Sequence, residues 1–81
     1  MRGLVVVTGA SGYIGSHIVA NLLSKGMRVR ATVRDLGDPE RVAHLKTMEI
    51  AEGGGIEIVE MDLFDPESVN SAISGCTDLI H

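Results

Sequence analysis

The stretch VVVTGASGYIGSH, residues 5–17, decides how the rest of the chain is read. Glycines at 9, 12 and 15 directly follow the apolar run Leu4–Val7 and precede a helical pattern of Ile14, Ile18 and Leu22, with Val19 and Leu23 beside them. Leu4–Val7 is continuous and β-branched, the pattern of a strand buried on both faces. Gly9 is expected to make the tight turn out of that strand, Gly12 to let backbone approach a bound group, and Gly15 to let the helix pack closely on the sheet. Free amides and a partial positive charge at the helix start suit a pyrophosphate. The glycine spacing alone is a weak signal, and its place between strand and helix in a βαβ unit makes it specific. A glycine-rich turn without a ligand is the plain alternative. A Walker-type loop is disfavoured, because Ser16 and His17 follow Gly15 where Lys and Ser/Thr would stand.

Outward from this loop the chain alternates strands and helices. Gly26 stands where a left-handed helix C-cap is wanted. MRVRATV, residues 27–33, alternates Val29, Ala31 and Val33 with Arg28, Arg30 and Thr32, and reads as a second strand with one more polar face. Asp38 and Pro39 open a second helix carrying Val42 and Leu45, which Gly53–Gly55 are expected to end. IEIVEM, residues 56–61, reads as a third strand; Asp65 and Pro66 open a third helix with Val69, Ala72 and Ile73, and Gly75 stops it. DLIH at the end begins a fourth strand. The expected fold is α/β, the first half of a doubly wound parallel sheet in the order 3-2-1-4.

The 81 residues are 44% hydrophobic and 22% charged, as a folded domain with a single core requires. So small a core gives marginal independent stability. A net charge of −4, without a run of Lys or Arg, excludes the electrostatic footprint of a nucleic-acid or membrane-surface binder. The apolar run Leu4–Val7 is too short for a signal core or a membrane span, so a soluble, cytoplasmic protein is expected. Cys76 has no second cysteine to pair with and reads as a small buried residue beside a turn. His17, His44 and His81 lack partners at metal-ligand spacing, so no metal site is expected.

Arg34 follows Val33 at the end of the second strand, where NAD-preferring sites carry an acidic residue for the ribose 2′-hydroxyl. Its planar guanidinium can hold a phosphate through two hydrogen bonds, which points to NADP(H) over NAD(H). Asp35 argues the other way, since a carboxylate there repels a 2′-phosphate or accepts from a ribose hydroxyl. Ser11, Tyr13 and Ile14 are expected to act through backbone amides and packing.

TGASGYIGSH, with ATVRD, MDL and GCTDLIH at the next three strands, resembles the N-terminal part of an extended short-chain dehydrogenase/reductase. Within that superfamily it is most similar to the dihydroflavonol reductase and cinnamoyl-CoA reductase group. The resemblance implies that Arg34 and Arg41 face the 2′-phosphate, and that Asp62 and Leu63 flank the adenine, the carboxylate accepting from its exocyclic amine. It also implies a nicotinamide-dependent reduction of a small-molecule carbonyl compound, with a catalytic Tyr-x-x-x-Lys pair and a Ser expected in segments outside residues 1–81, since the one Tyr is Tyr13, residue 17 is His, and Tyr13 is therefore not that tyrosine. The chain is therefore expected to be the cofactor-binding, N-terminal part of an NADP-dependent reductase, without catalytic residues of its own. A sugar-nucleotide epimerase or dehydratase is the second reading, and a non-catalytic dinucleotide-binding module or inactive short product the third. An unpaired edge on the fourth strand would favour self-association.

Overall fold

The computed structural model describes residues 3–10, 12–34, 37 and 39–80, apart from the side chains of Pro39 and Arg41. Four strands, β1 (Leu4–Val7), β2 (Arg28–Val33), β3 (Gly55–Glu60) and β4 (Asp78–Ile80), alternate with helices α1 (Tyr13–Ser24), α2 (Pro39–Lys46) and α3 (Pro66–Ile73). All strand pairs are parallel and the sheet order is β3-β2-β1-β4, the order expected for the first half of a doubly wound fold. Register places Val5 beside Val29 and Val7 beside Ala31, while Ile56 and Ile58 continue the same rows on β3.

These rows form one face of the sheet. Val5, Val7, Val29, Ala31 and Val33 pack with Val19 and Leu23 of α1 and Leu45 of α2 into the principal core. The opposite parity carries Val6, Arg30 and Thr32, and Arg30 reaches from it to the carbonyls of Ala72 and Ser74 at the end of α3, at 2.8 and 2.7 Å. Helices thus lie on both faces. Thr32 on the polar face is nonetheless buried, its hydroxyl 3.4 Å from the Val7 carbonyl.

Helix α1 differs from the expected stripe. Ile18 and Leu22 pack at the margin of the core and Ile14 is 72% exposed, whereas Ser16, Val19 and Leu23 face the sheet. Two adjacent apolar rows run along this helix, and the sheet takes the one led by Val19. The C-terminus closes as read: Gly26 has φ +75°, its amide donates to the Leu23 carbonyl at 3.0 Å, and the Met27 amide donates to that of Leu22 at 3.1 Å. This is the six-to-one and five-to-two pair of a Schellman cap.

Helix α2 is shorter than expected. It ends at Lys46, well before Gly53–Gly55, and Gly55 is already the first residue of β3. The Thr47 hydroxyl donates to the His44 carbonyl at 2.9 Å, and the Ala51 amide donates to the Leu23 carbonyl at 3.0 Å, which draws the chain across the end of α1. Asp38, its expected cap, lies outside the described residues. Asp65 does cap α3, its Oδ1 accepting from the Glu67 amide at 3.1 Å ahead of Pro66. Cys76 is half-buried instead of buried.

Candidate functional site

Parallel strands expose their last carbonyls and amides along one edge, and the loops that leave them meet there. Three hydrogen bonds prolong the ladder into those loops: Thr8 to the Ile80 carbonyl (2.9 Å), Ala10 to that of Thr32 (3.0 Å) and Met61 to that of Val33 (2.9 Å). They hold the three loops in register with one another. Between them lies a cleft of about 330 Å³, lined by Thr8, Gly9, Thr32, Val33, Arg34, Met61, Asp62, Leu63 and Phe64.

The glycines take separate tasks on one side of this cleft. Gly9 turns at φ +62°, and the Gly12 amide donates back to its carbonyl at 3.0 Å. A Cβ at Gly15 would overlap that carbonyl oxygen and come within 2.9 Å of the Gly9 carbonyl carbon and 3.0 Å of the Ala10 Cα. Helix α1 therefore needs a bare backbone there to sit on the turn. At Gly12 the same atom would meet only the Gly9 carbonyl oxygen at 3.4 Å, an ordinary contact. The fold leaves room for a side chain at Gly12, so its absence opens space toward solvent. Gly12 is also the N-cap and has no side chain to accept from the first-turn amides, and that turn contains no acidic residue.

The far side of the cleft is a built turn. Asp62 Oδ1 accepts from the Phe64 amide at 2.9 Å, the Asp62 amide donates to Ser68 Oγ at 3.0 Å, and the Asp65 amide donates to the Asp62 carbonyl at 3.0 Å. The second carboxylate oxygen of Asp62 has no acceptor role within the described residues. Arg34 is exposed at the rim, beside buried Val33.

Gly9, Arg34, Asp62 and Leu63 thus come together in one cleft, with Gly12 and Gly15 at the start of the adjoining helix. Tyr13 and Ile14 do not line it. Their side chains are 81% and 72% exposed and border a shallow groove along the outer face of α1 with His17, Ile18, Asn21 and Leu22. The Tyr13 ring meets that of His17 edge to face at 4.6 Å, so neither side chain packs into the turn. Ser11, Asp35 and the side chain of Arg41 lie outside the described residues. Sequence reasoning missed Thr8, Thr32, Met61 and Phe64. Thr8 and Met61 are the first residues beyond β1 and β3 and Thr32 is the penultimate residue of β2, so these three could have been found near C-terminal strand ends; Phe64 has no such signal.

Residues 1–81 match the profile of the NmrA-like family over the full length. The chain is 45% identical over 80 residues to dihydroflavonol 4-reductase of Hordeum vulgare, covering 99% of this chain and 22% of that protein. It is 40% identical over 81 residues to a cinnamoyl-CoA reductase of Medicago truncatula, covering 100% of this chain and 24% of that protein. Among solved structures, vestitone reductase from alfalfa superposes with a TM-score of 0.65 at 30% identity, over 96% of this chain and 24% of that one. The chain spans about a quarter of the length of these relatives. No described helix is long and apolar enough to cross a membrane.

Proposed function

The chain belongs to the NmrA-like family, and from that premise we propose that it is the adenosine- and pyrophosphate-binding part of a reductase that uses NADP(H). The observation that carries this reading is the convergence of Gly9, Arg34, Asp62 and Leu63 on one cleft at the C-terminal ends of β1, β2 and β3. An open-sheet α/β fold binds its ligand in that crevice.

The residues fit a dinucleotide. Gly12 leaves the approach to α1 unobstructed for a pyrophosphate, and the first-turn amides offer donors and a positive field. Arg34 holds the 2′-phosphate as a fork of N–H donors, and Arg41 is assigned to the same phosphate. Asp62 accepts from the exocyclic amine of the adenine while the backbone at Leu63 fixes the ring. Ser11, Tyr13 and Ile14 contribute backbone amides. When bound in a complete reductase, the dinucleotide supplies the hydride. Residues 1–81 contain no Tyr-x-x-x-Lys pair, so this chain binds and orients, and the carbonyl substrate belongs to segments present in the longer relatives.

Calorimetric titration with NADP and NAD tests the reading. Arg34→Gln is expected to weaken NADP about 10- to 100-fold, the range of a charge-assisted pair of hydrogen bonds, and to leave NAD unchanged. Equal affinity of the unaltered chain for both dinucleotides would overturn the assignment of Arg34.

A further inference from the structure

Phe64 is the single phenylalanine of a chain without tryptophan. It stands 90% exposed, the most exposed of the large apolar side chains among the described residues. Isolated exposure of one apolar side chain is common and by itself means little. Three further observations give this one a direction. The residue lines the cleft together with Arg34, Met61, Asp62 and Leu63. Its backbone is fixed, because its amide donates to Asp62 Oδ1 at 2.9 Å and the same turn is tied to α3 through Ser68 Oγ at 3.0 Å from the Asp62 amide. Neighbouring Leu63 is 64% exposed, so the apolar rim is continuous.

From this arrangement we infer that Phe64 stacks on the adenine ring of the bound dinucleotide, and that the turn 62–64 recognises the base from two directions. The inference rests on the proposed reading of the cleft and adds to it a residue that the reading does not require. A flat aromatic ring on a pre-formed turn offers a stacking surface with little ordering left to be done on binding. The carboxylate of Asp62, two residues earlier, supplies the acceptor in the plane of the base, and Phe64 supplies the face. The hydrogen bond from the Phe64 amide to Asp62 Oδ1 ties these two residues together and so sets the spacing of the two contacts.

The test uses adenosine 2′,5′-bisphosphate, which contains the base and the 2′-phosphate without the nicotinamide. Phe64→Ala is expected to weaken its binding about tenfold, within the range for losing one base–aromatic stack. Phe64→Trp is expected to keep the affinity and places a single indole in the chain, whose emission should be quenched as the ligand saturates. Unaltered circular dichroism of both variants checks that an exposed side chain has been changed without loss of fold. Affinity of Phe64→Ala equal to that of the unaltered chain, or indole emission indifferent to saturating ligand, would overturn the inference while leaving the cleft assignment standing. Failure of the unaltered chain to bind the bisphosphate would overturn both.

Discussion

A methyl group added at Gly15 would collide with backbone at Gly9 and Ala10, whereas one added at Gly12 would meet a single oxygen at 3.4 Å. The same glycine spacing therefore contains two kinds of constraint, one from the fold and one from outside it. Gly15→Ala should lower stability by about 1–3 kcal/mol, the usual effect of forcing atoms into a close-packed contact, measured as a fall in the urea midpoint. Gly12→Ala should leave stability within about 0.5 kcal/mol of the unaltered chain and instead weaken dinucleotide binding. A Gly12→Ala chain that melted early yet bound normally would reverse the assignment. The sequence context made the glycine turn legible, since only a strand followed by a helix puts these residues at a helix start. It did not make Phe64 legible, because an isolated aromatic after a strand carries no periodicity, and its place beside the cleft follows from the turn in which its amide donates to Asp62.

Among the elements, α3 depends on residues far from it in sequence. Arg30 lies in the middle of β2, with its side chain 17% exposed, and its guanidinium donates to the Ala72 and Ser74 carbonyls that end α3. The same guanidinium pairs with Glu57 on the neighbouring strand, whose side chain is 59% exposed. A solvent-screened carboxylate contributes little, so Glu57→Gln should cost under about 1 kcal/mol. Arg30→Ala removes the donors to helix-end carbonyls as well and should cost about 1–2 kcal/mol, a difference readable by thermal or urea melts of the two variants. At the other end of α3, Asp65→Ala should cost about 1 kcal/mol by leaving the Glu67 amide without its cap. Cap residues were readable from sequence because their chemistry is local: Asp65 before Pro66, and Gly26 at φ +75° after α1. The end of α2 was not, since the chain leaves the helix at Thr47 to reach the Leu23 carbonyl, a tertiary contact that local pattern does not encode. Ile14 was misread for a related reason. Adjacent apolar rows on α1 give the same period, and only the position of the sheet selects between them.

At the scale of the molecule, alternation of strand and helix predicted a parallel sheet covered on both faces, and reading it as the mononucleotide-binding half of a doubly wound fold predicted the order 3-2-1-4 that the structure has. That order puts β4 at one edge with Leu79 51% exposed. The 81-residue chain alone should therefore melt at a temperature that rises with protein concentration, as association through this edge requires, and Leu79→Lys should remove the dependence. It also gathers three loops from distant parts of the sequence around one cleft, and the central claim is that a dinucleotide binds there. The most direct test is a titration of the isotopically labelled chain with NADP followed by amide chemical shifts. The account predicts that the largest shifts fall at Gly9, Gly12, Gly15, Arg34 and Asp62 through Phe64, with Tyr13 and Ile14 moving through their amides and Asn21 on the outer face of α1 left unmoved. Shifts centred on the α1 groove of His17, Ile18 and Asn21, or none at saturating NADP, would contradict it.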